Sequence, residues 1–139
     1  MVDELEREGY IKKLPADKNK VEDALNLAKR DITVAKALLR ENDDWAFSIA
    51  YNAMLQALRA LMFSKGYRPS GRNQHISVVR FAELFLRKEE VVVLDRMRRK
   101  RHATVYDTAG TISETEAENA VERAKNLVQE IERILEGDR

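Results

Sequence analysis

The chain predicts an all-α fold, an up-and-down bundle of about five to six helices. Three observations carry this. Gly9, Pro15, Gly66, Pro69, Gly71, Gly110 and Gly137 all fall between or at the ends of segments with helical periodicity, where residues that break helices belong. The apolar residues between them recur at spacings of three and four, the period of one helix face. The turns joining the segments are short, which favours antiparallel neighbours.

The first long segment carries Val21, Ala24, Leu25, Ala28, Ile32, Ala35, Leu38 and Leu39 on one stripe, and Asp17 or Asn19 can cap its start. The polar break at Asn42, Asp43 and Asp44 ends it. A second stripe then runs through Ala46, Ile49, Ala50, Ala53, Met54, Ala57, Leu58, Leu61 and Met62 to Gly66, and its alanines allow a neighbouring helix to come close. Residues 67–74 read as the one long irregular link. A shorter helix follows over about 76–86, and another from 89 to about 103. The last helix is the most sharply marked. Ser113 and Glu116 form a capping box, and Ala117, Ala120, Ala124, Leu127, Val128, Ile131, Ile134 and Leu135 make its inner face.

Composition narrows the possible functions. At 139 residues the length suits one domain spanning residues 1–139, large enough for a core and too small for two. No apolar run approaches the ~18 residues of a membrane helix, and the acidic start (Asp3, Glu4, Glu6, Glu8) is wrong for a signal peptide. A cytoplasmic protein is expected. The absence of cysteine removes disulfides, thiolate metal sites and cysteine nucleophiles together. The net charge of +1 hides a basic middle: residues 59–102 hold 12 Lys and Arg against 4 Asp and Glu, while both flanks are acidic. Such a block attracts a polyanion or pairs with the acidic elements beside it.

The densest part of that block is Asp95-Arg96-Met97-Arg98-Arg99-Lys100-Arg101-His102. Arginine grips phosphate through parallel hydrogen bonds, and histidine moves protons near neutrality, so the combination suits phosphate chemistry. A solvated helix face is the commonest alternative for such a run. Helical phase sharpens the choice. At ~100° per residue, Val91, Leu94, Met97 and Val105 share a face centred near Arg101, which should lean inward. Asp95, Arg98 and His102 line the flank of that face, with Arg99 and Lys100 turned toward solvent. Asp95 can orient the imidazole or neutralise Arg98, the second being the commoner outcome. Arg96 and His102 lie ~240° apart on an ideal helix. They converge only if the helix ends or distorts near Arg101, or if each meets a residue of another subunit.

At these residues the chain resembles HEPN domains, named for higher eukaryotes and prokaryotes nucleotide-binding. These are small helical bundles whose penultimate long helix often carries Arg, four to six residues, then His. Here Arg96, five residues and His102 fit the pattern. Residues 44–54, from Asp44-Trp45-Ala46 to Ala53-Met54, look like the second long helix of these proteins, and Lys65-Gly66-Tyr67-Arg68 like its exit. Arg98-Arg99-Lys100-Arg101-His102 followed by Tyr106-Asp107 is similar to the signature of a prokaryotic subgroup. The similarity covers about residues 5–136.

The resemblance implies a stand-alone, metal-independent endoribonuclease of the toxin type, paired in toxin–antitoxin systems with a minimal nucleotidyltransferase. His102 would be the acid or base and Arg96 the phosphate holder, with Arg98, Arg99, Lys100 and Arg101 contacting RNA and Asp95 and Tyr106 in support. A homodimer is part of that expectation, because one histidine cannot easily be acid and base at once and a two-fold interface supplies a second. No metal or other cofactor is expected.

His75 could contact a phosphate, although a histidine near a helix start is more often a capping or surface residue. No carboxylates accompany it at metal-ligand spacing. Trp45, Phe47 and Tyr51 suit the core better than base stacking. No Gly-rich phosphate loop is present, so a nucleoside triphosphatase finds no support. Two alternatives stand beside the ribonuclease. One is a non-catalytic HEPN module binding a nucleotide or a nucleotidyltransferase through the basic cleft. The other is a structural helical protein whose basic run pairs with Glu114, Glu118 and Glu122. The nuclease needs the imidazole of His102, the binding module needs only cations near it, and the structural protein tolerates its loss.

Overall fold

A computed structural model describes residues 1–106 and 109–137, with the backbone alone at Val105 and Tyr106. The inward position expected for Val105 and the supporting role expected for Tyr106, with its neighbour Asp107, lie outside the described residues. Six helices and a two-stranded ribbon follow in the order α1 (Val2–Arg7), β1 (Ile11–Lys13), α2 (Lys18–Leu38), α3 (Asp43–Ser64), β2 (Tyr67–Pro69), α4 (Gln74–Ala82), α5 (Lys88–Tyr106) and α6 (Glu114–Gly137). The fold is the all-α bundle that the periodicity predicts. Among the described residues no helix is long and apolar enough to cross a membrane.

The bundle is organised around α3. Of its 22 residues 13 are buried, because α2, α4, α5 and α6 all pack against it. Ala46, Ala50, Ala53, Ala57 and Ala60 have no exposed surface, nor do Ala117 and Ala124 of α6 or Ala28 and Ala35 of α2. Side chains this small let three backbones approach closely, so the core is filled by Tyr51, Leu58, Leu61, Met62, Phe81, Leu94 and Ile131 at its wider places. One charge is drawn into the α2–α3 seam. Asp31 is 5% exposed and is satisfied by Asn52 Nδ2 at 2.8 Å and by the Arg30 guanidinium at 2.9 Å.

The helix ends follow local chemistry. Asp17 accepts a hydrogen bond from the Asn19 amide at 2.9 Å, and Asn42 accepts one from the Trp45 amide at 3.1 Å. The Ser113–Glu116 box closes in both directions, at 3.0 and 3.2 Å. Between α2 and α3 the chain turns through Arg40 at φ 70°, a left-handed conformation that costs a non-glycine residue about 1–2 kcal/mol. Its amide is held by Asp43 at 2.9 Å, and its guanidinium reaches Glu114 at 2.7 Å and Glu118 at 3.6 Å.

The 67–74 link is more ordered than its sequence suggests. Tyr67–Pro69 forms β2, antiparallel to β1, with Ile11 opposite Pro69 and Lys13 opposite Tyr67. Three-residue strands carry no readable alternation, and their partner lies more than fifty positions away, so neither strand is visible to periodicity. The ribbon continues into a tie. The Ser70 amide donates to Tyr10 O at 2.9 Å, its hydroxyl to Gly9 O at 2.8 Å, and the Ser77 hydroxyl to Ser70 O at 2.7 Å. Gly71, at φ 90°, passes so close to Gly9 that a Cβ there would stand 3.2 Å from the Gly9 carbonyl oxygen. This tie fixes where α4 begins. The helix ends at Ala82, earlier than its apolar pattern suggests, because residues 83–86 fold into turns that stack Phe85 on Phe81 at 5.0 Å.

Candidate functional site

Helix α5 sets the site. Its buried stripe is Leu94, Met97 and Thr104, and spacings of three and four place Arg101 on the same line between Met97 and Thr104. Arg101 therefore leans inward, as its phase predicts. Its Nε donates to Ser48 Oγ at 3.1 Å, and its guanidinium carbon lies 5.9 Å from the centroid of the Tyr51 ring. Both contacts come from the first turns of α3, and that end of α3 also holds the chain after α5. The Asp44 carboxylate accepts the Gly110 amide at 2.6 Å and the Ile112 amide at 3.4 Å. Thr104 and Thr111 share a hydroxyl hydrogen bond at 3.0 Å.

The other basic residues fan out around the helix. Asp95 is shared by two arginines: Arg98 Nε and Nη2 both stand 3.0 Å from one carboxylate oxygen, and Arg99 Nη2 stands 2.7 Å from the other. Burial works to raise the Asp95 pKa, but the hydrogen bonds and charges of Arg98 and Arg99 outweigh it and hold the carboxyl below its ordinary range. Arg98 and Arg99 line a groove of about 430 Å³ between α4 and α5. Lys100 turns the other way, to Glu116 of α6 at 3.3 Å. A bond from the Ser113 backbone, with help from Lys100, keeps Glu116 below its ordinary pKa. Arg96 lies on that same side, in a groove of about 280 Å³ with Phe47, Met97, Lys100 and Arg123. His102 is exposed.

The predicted site residues are thus divided. Because α5 runs unbroken to Tyr106, the helix neither ends nor distorts near Arg101, and within one chain Arg96 faces the α6 side, away from His102. Arg98 stands one turn before His102, where side chains are neighbours. The acidic partners expected for a purely structural basic run are engaged elsewhere: Glu114 and Glu118 hold Arg40, and Glu122 pairs with Lys125 at 3.9 Å.

Sequence reasoning set His75 aside, and the structure brings it in. Asn73, not His75, caps α4 by accepting the Ile76 amide at 3.2 Å. His75 is half-buried against Tyr51, with ring centroids 6.1 Å apart. Burial foremost, then the charges of Arg101, Arg98 and Arg59, lowers its pKa from the ordinary 6.5. Tyr51 is buried as expected, and burial pushes its hydroxyl well above the tyrosine range against the pull of Arg98 and Arg101. Only a fold brings residues of three helices together, and no local signal marks this meeting. Trp45 is 52% exposed, whereas Phe47 is buried as the core reading predicts. Among the described residues no three His, Asp or Glu side chains gather to hold a metal ion.

Known proteins bear on this arrangement in two ways. The crystal structure of TT1696 from Thermus thermophilus shares the fold, with a TM-score of 0.63 over 83% of this chain and 98% of that one, at 22% identity. No curated protein matches the chain. The model of the HEPN domain matches residues 21–134, which takes in α3, the basic helix α5 and nearly all of α2 and α6. On that match the chain belongs to the HEPN domain family.

Proposed function

We propose that the protein is a metal-independent endoribonuclease in which His102 is the acid or base. Membership of the HEPN family supports a nucleotide-binding or RNase-type module, and HEPN domains often dimerise. The observation that carries the finer reading is the exposure of His102 beside Arg98, in a segment whose neighbouring turns are anchored in the core through Leu94, Met97 and Arg101. A helix packed in this way carries an exposed imidazole with an arginine one turn away, residue types that suit phosphodiester transfer.

In the proposed reaction a base takes the proton of a ribose 2′-hydroxyl, and that oxygen attacks the adjacent phosphorus. The P–O bond to the next nucleotide breaks, an acid protonates the departing 5′-oxygen, and a 2′,3′-cyclic phosphate remains. Arginine stabilises the charge on the phosphorane oxygens. Arg96 faces away from His102 in one chain, so its expected role requires a two-fold homodimer in which Arg96 of one protomer approaches His102 of the other. Cleavage of mixed cellular RNA in EDTA, by wild type and His102→Ala, tests this through the product ends. Cyclic-phosphate ends that vanish in the variant support the reading. Undiminished cleavage by the variant, or none by either folded protein, ends it.

A second reading is a non-catalytic module for a nucleotide or a minimal nucleotidyltransferase. What favours it is that Arg101 and His75 both stand against the Tyr51 ring on the inner side of α5, where a cation serves binding without any need for His102.

A further inference from the structure

Three helices meet at Tyr51. Its ring is wholly buried on α3, His75 of α4 stands against it at 6.1 Å, and the Arg101 guanidinium of α5 lies 5.9 Å from its centre. The Tyr51 hydroxyl is buried with no hydrogen-bond partner among the described residues, and so is Arg59 Nε. Buried polar atoms are nearly always paired in folded proteins, so the unpartnered Tyr51 hydroxyl at this junction is open to a ligand.

Charge identifies what that is. The charges acting on His75 are the guanidiniums of Arg101, Arg98 and Arg59. Asp95, the carboxylate whose field reaches Tyr51, is already divided between Arg98 and Arg99. Among the described residues Arg101 forms no ion pair, and Ser48 occupies its Nε, which leaves the terminal nitrogens without a protein acceptor. Positive potential is therefore concentrated at a half-buried junction where solvent screens it poorly. The donors are of the kinds that a phosphate uses: the terminal nitrogens of Arg101, the one nitrogen of Arg98 that Asp95 does not hold, a phenol and an imidazole.

We propose that Arg101, Arg98, His75 and the Tyr51 hydroxyl form a seat for one phosphate group at the junction of α3, α4 and α5. This takes from the proposed function only that the ligand carries phosphate. Ser48 positions Arg101, and the Ser70–Ser77 tie positions His75 by fixing the start of α4. Arg98 belongs to the seat and is also the helical neighbour of His102. A strand whose phosphate occupies the seat therefore passes the imidazole.

The chain has two histidines, so ring resonances of histidine-labelled protein, assigned with His102→Ala, report the seat and the outer edge of α5 separately. The probes are inorganic phosphate and a deoxydinucleotide monophosphate, which offers a phosphodiester but no 2′-hydroxyl. Ionic strength is held with chloride and pH is held constant. A saturable shift of the His75 resonances is expected, weakened about tenfold by Arg101→Gln through loss of a charge-assisted bond. If that variant loses helicity, Arg98→Gln, whose side chain is only 26% exposed, tests the same seat. Tighter binding of the dinucleotide assigns the seat to nucleic acid, and tighter binding of inorganic phosphate assigns it to a free or terminal phosphate. A His75 response no greater in phosphate than in chloride overturns the seat, as does full binding by a folded Arg101→Gln or Arg98→Gln variant. Cleavage is read from His102 and RNA ends, so failure of either idea is seen apart from the other.

Discussion

His75 and His102 carry the same imidazole into opposite surroundings. His75 is half-buried at the start of α4, against a tyrosine ring and within the field of three arginines. His102 stands exposed on α5, on a helix that is itself locked to the core. The surroundings of the first disfavour its charged form, and the second stands at the exposed edge of its helix. A single helix thus divides its labour by phase. Arg101, on the buried line of α5, builds the inner cluster, and the next residue in the chain belongs to the outer edge. About a hundred degrees of rotation separates a residue held against Ser48 and Tyr51 from one exposed at the helix edge.

The largest expected effect breaks the pair at its outer member. His102→Ala should lower RNA cleavage in EDTA at least about a hundredfold, the scale of a lost acid or base, while leaving the urea midpoint within error of wild type. His75→Gln should weaken phosphate binding and retain cyclic-phosphate chemistry. Equal losses of cleavage in both variants would merge the two histidines into one site.

Next comes the ring between the two helices. Tyr51→Ala should cost about 3–5 kcal/mol in urea unfolding, the usual penalty for truncating a fully buried aromatic. Tyr51→Phe should stay within about 1 kcal/mol of wild type, since the hydroxyl it removes has no partner to lose among the described residues. A Phe variant as unstable as the Ala variant would show that the hydroxyl holds the fold and is not reserved for a ligand.

A smaller effect is set by pH. His75 has its folded pKa lowered from 6.5, so as pH falls below about 6.5 the unfolded chain takes up a proton that the folded one resists. Stability is then complete above about 6.5 and declines as pH falls from there toward the folded pKa. His75→Gln should flatten the urea midpoint across about pH 5 to 7, before Asp95 and Glu116, both held low, begin to protonate at more acid pH. A slope unchanged in that variant would assign the titration elsewhere.

The smallest effect belongs to the solvent side. Arg99→Gln should shift stability by less than about 1 kcal/mol, as exposed ion pairs do, because Arg98 still holds Asp95. A larger loss would mean that Asp95 needs both cations to sit against the core.

The helices and the phase of α5 were written in the order of the residues. Apolar period, caps and breaks are local, and each helix satisfies its own backbone, so the capping box at Ser113, the break at Asn42 and the inward turn of Arg101 were all legible in advance. So was the basic character of α5, since charge needs no partner to be counted. The rest came only with packing. The β1–β2 ribbon joins residues more than fifty apart, and the early end of α4 depends on where Phe85 stacks. The meeting of Tyr51, His75 and Arg101 draws one residue from each of three helices. Contacts of that kind exist only once the folded chain has chosen neighbours. A basic helix could therefore be read from the residues alone, whereas which imidazole is half-buried against Tyr51 and which is exposed was settled by how the helices pack.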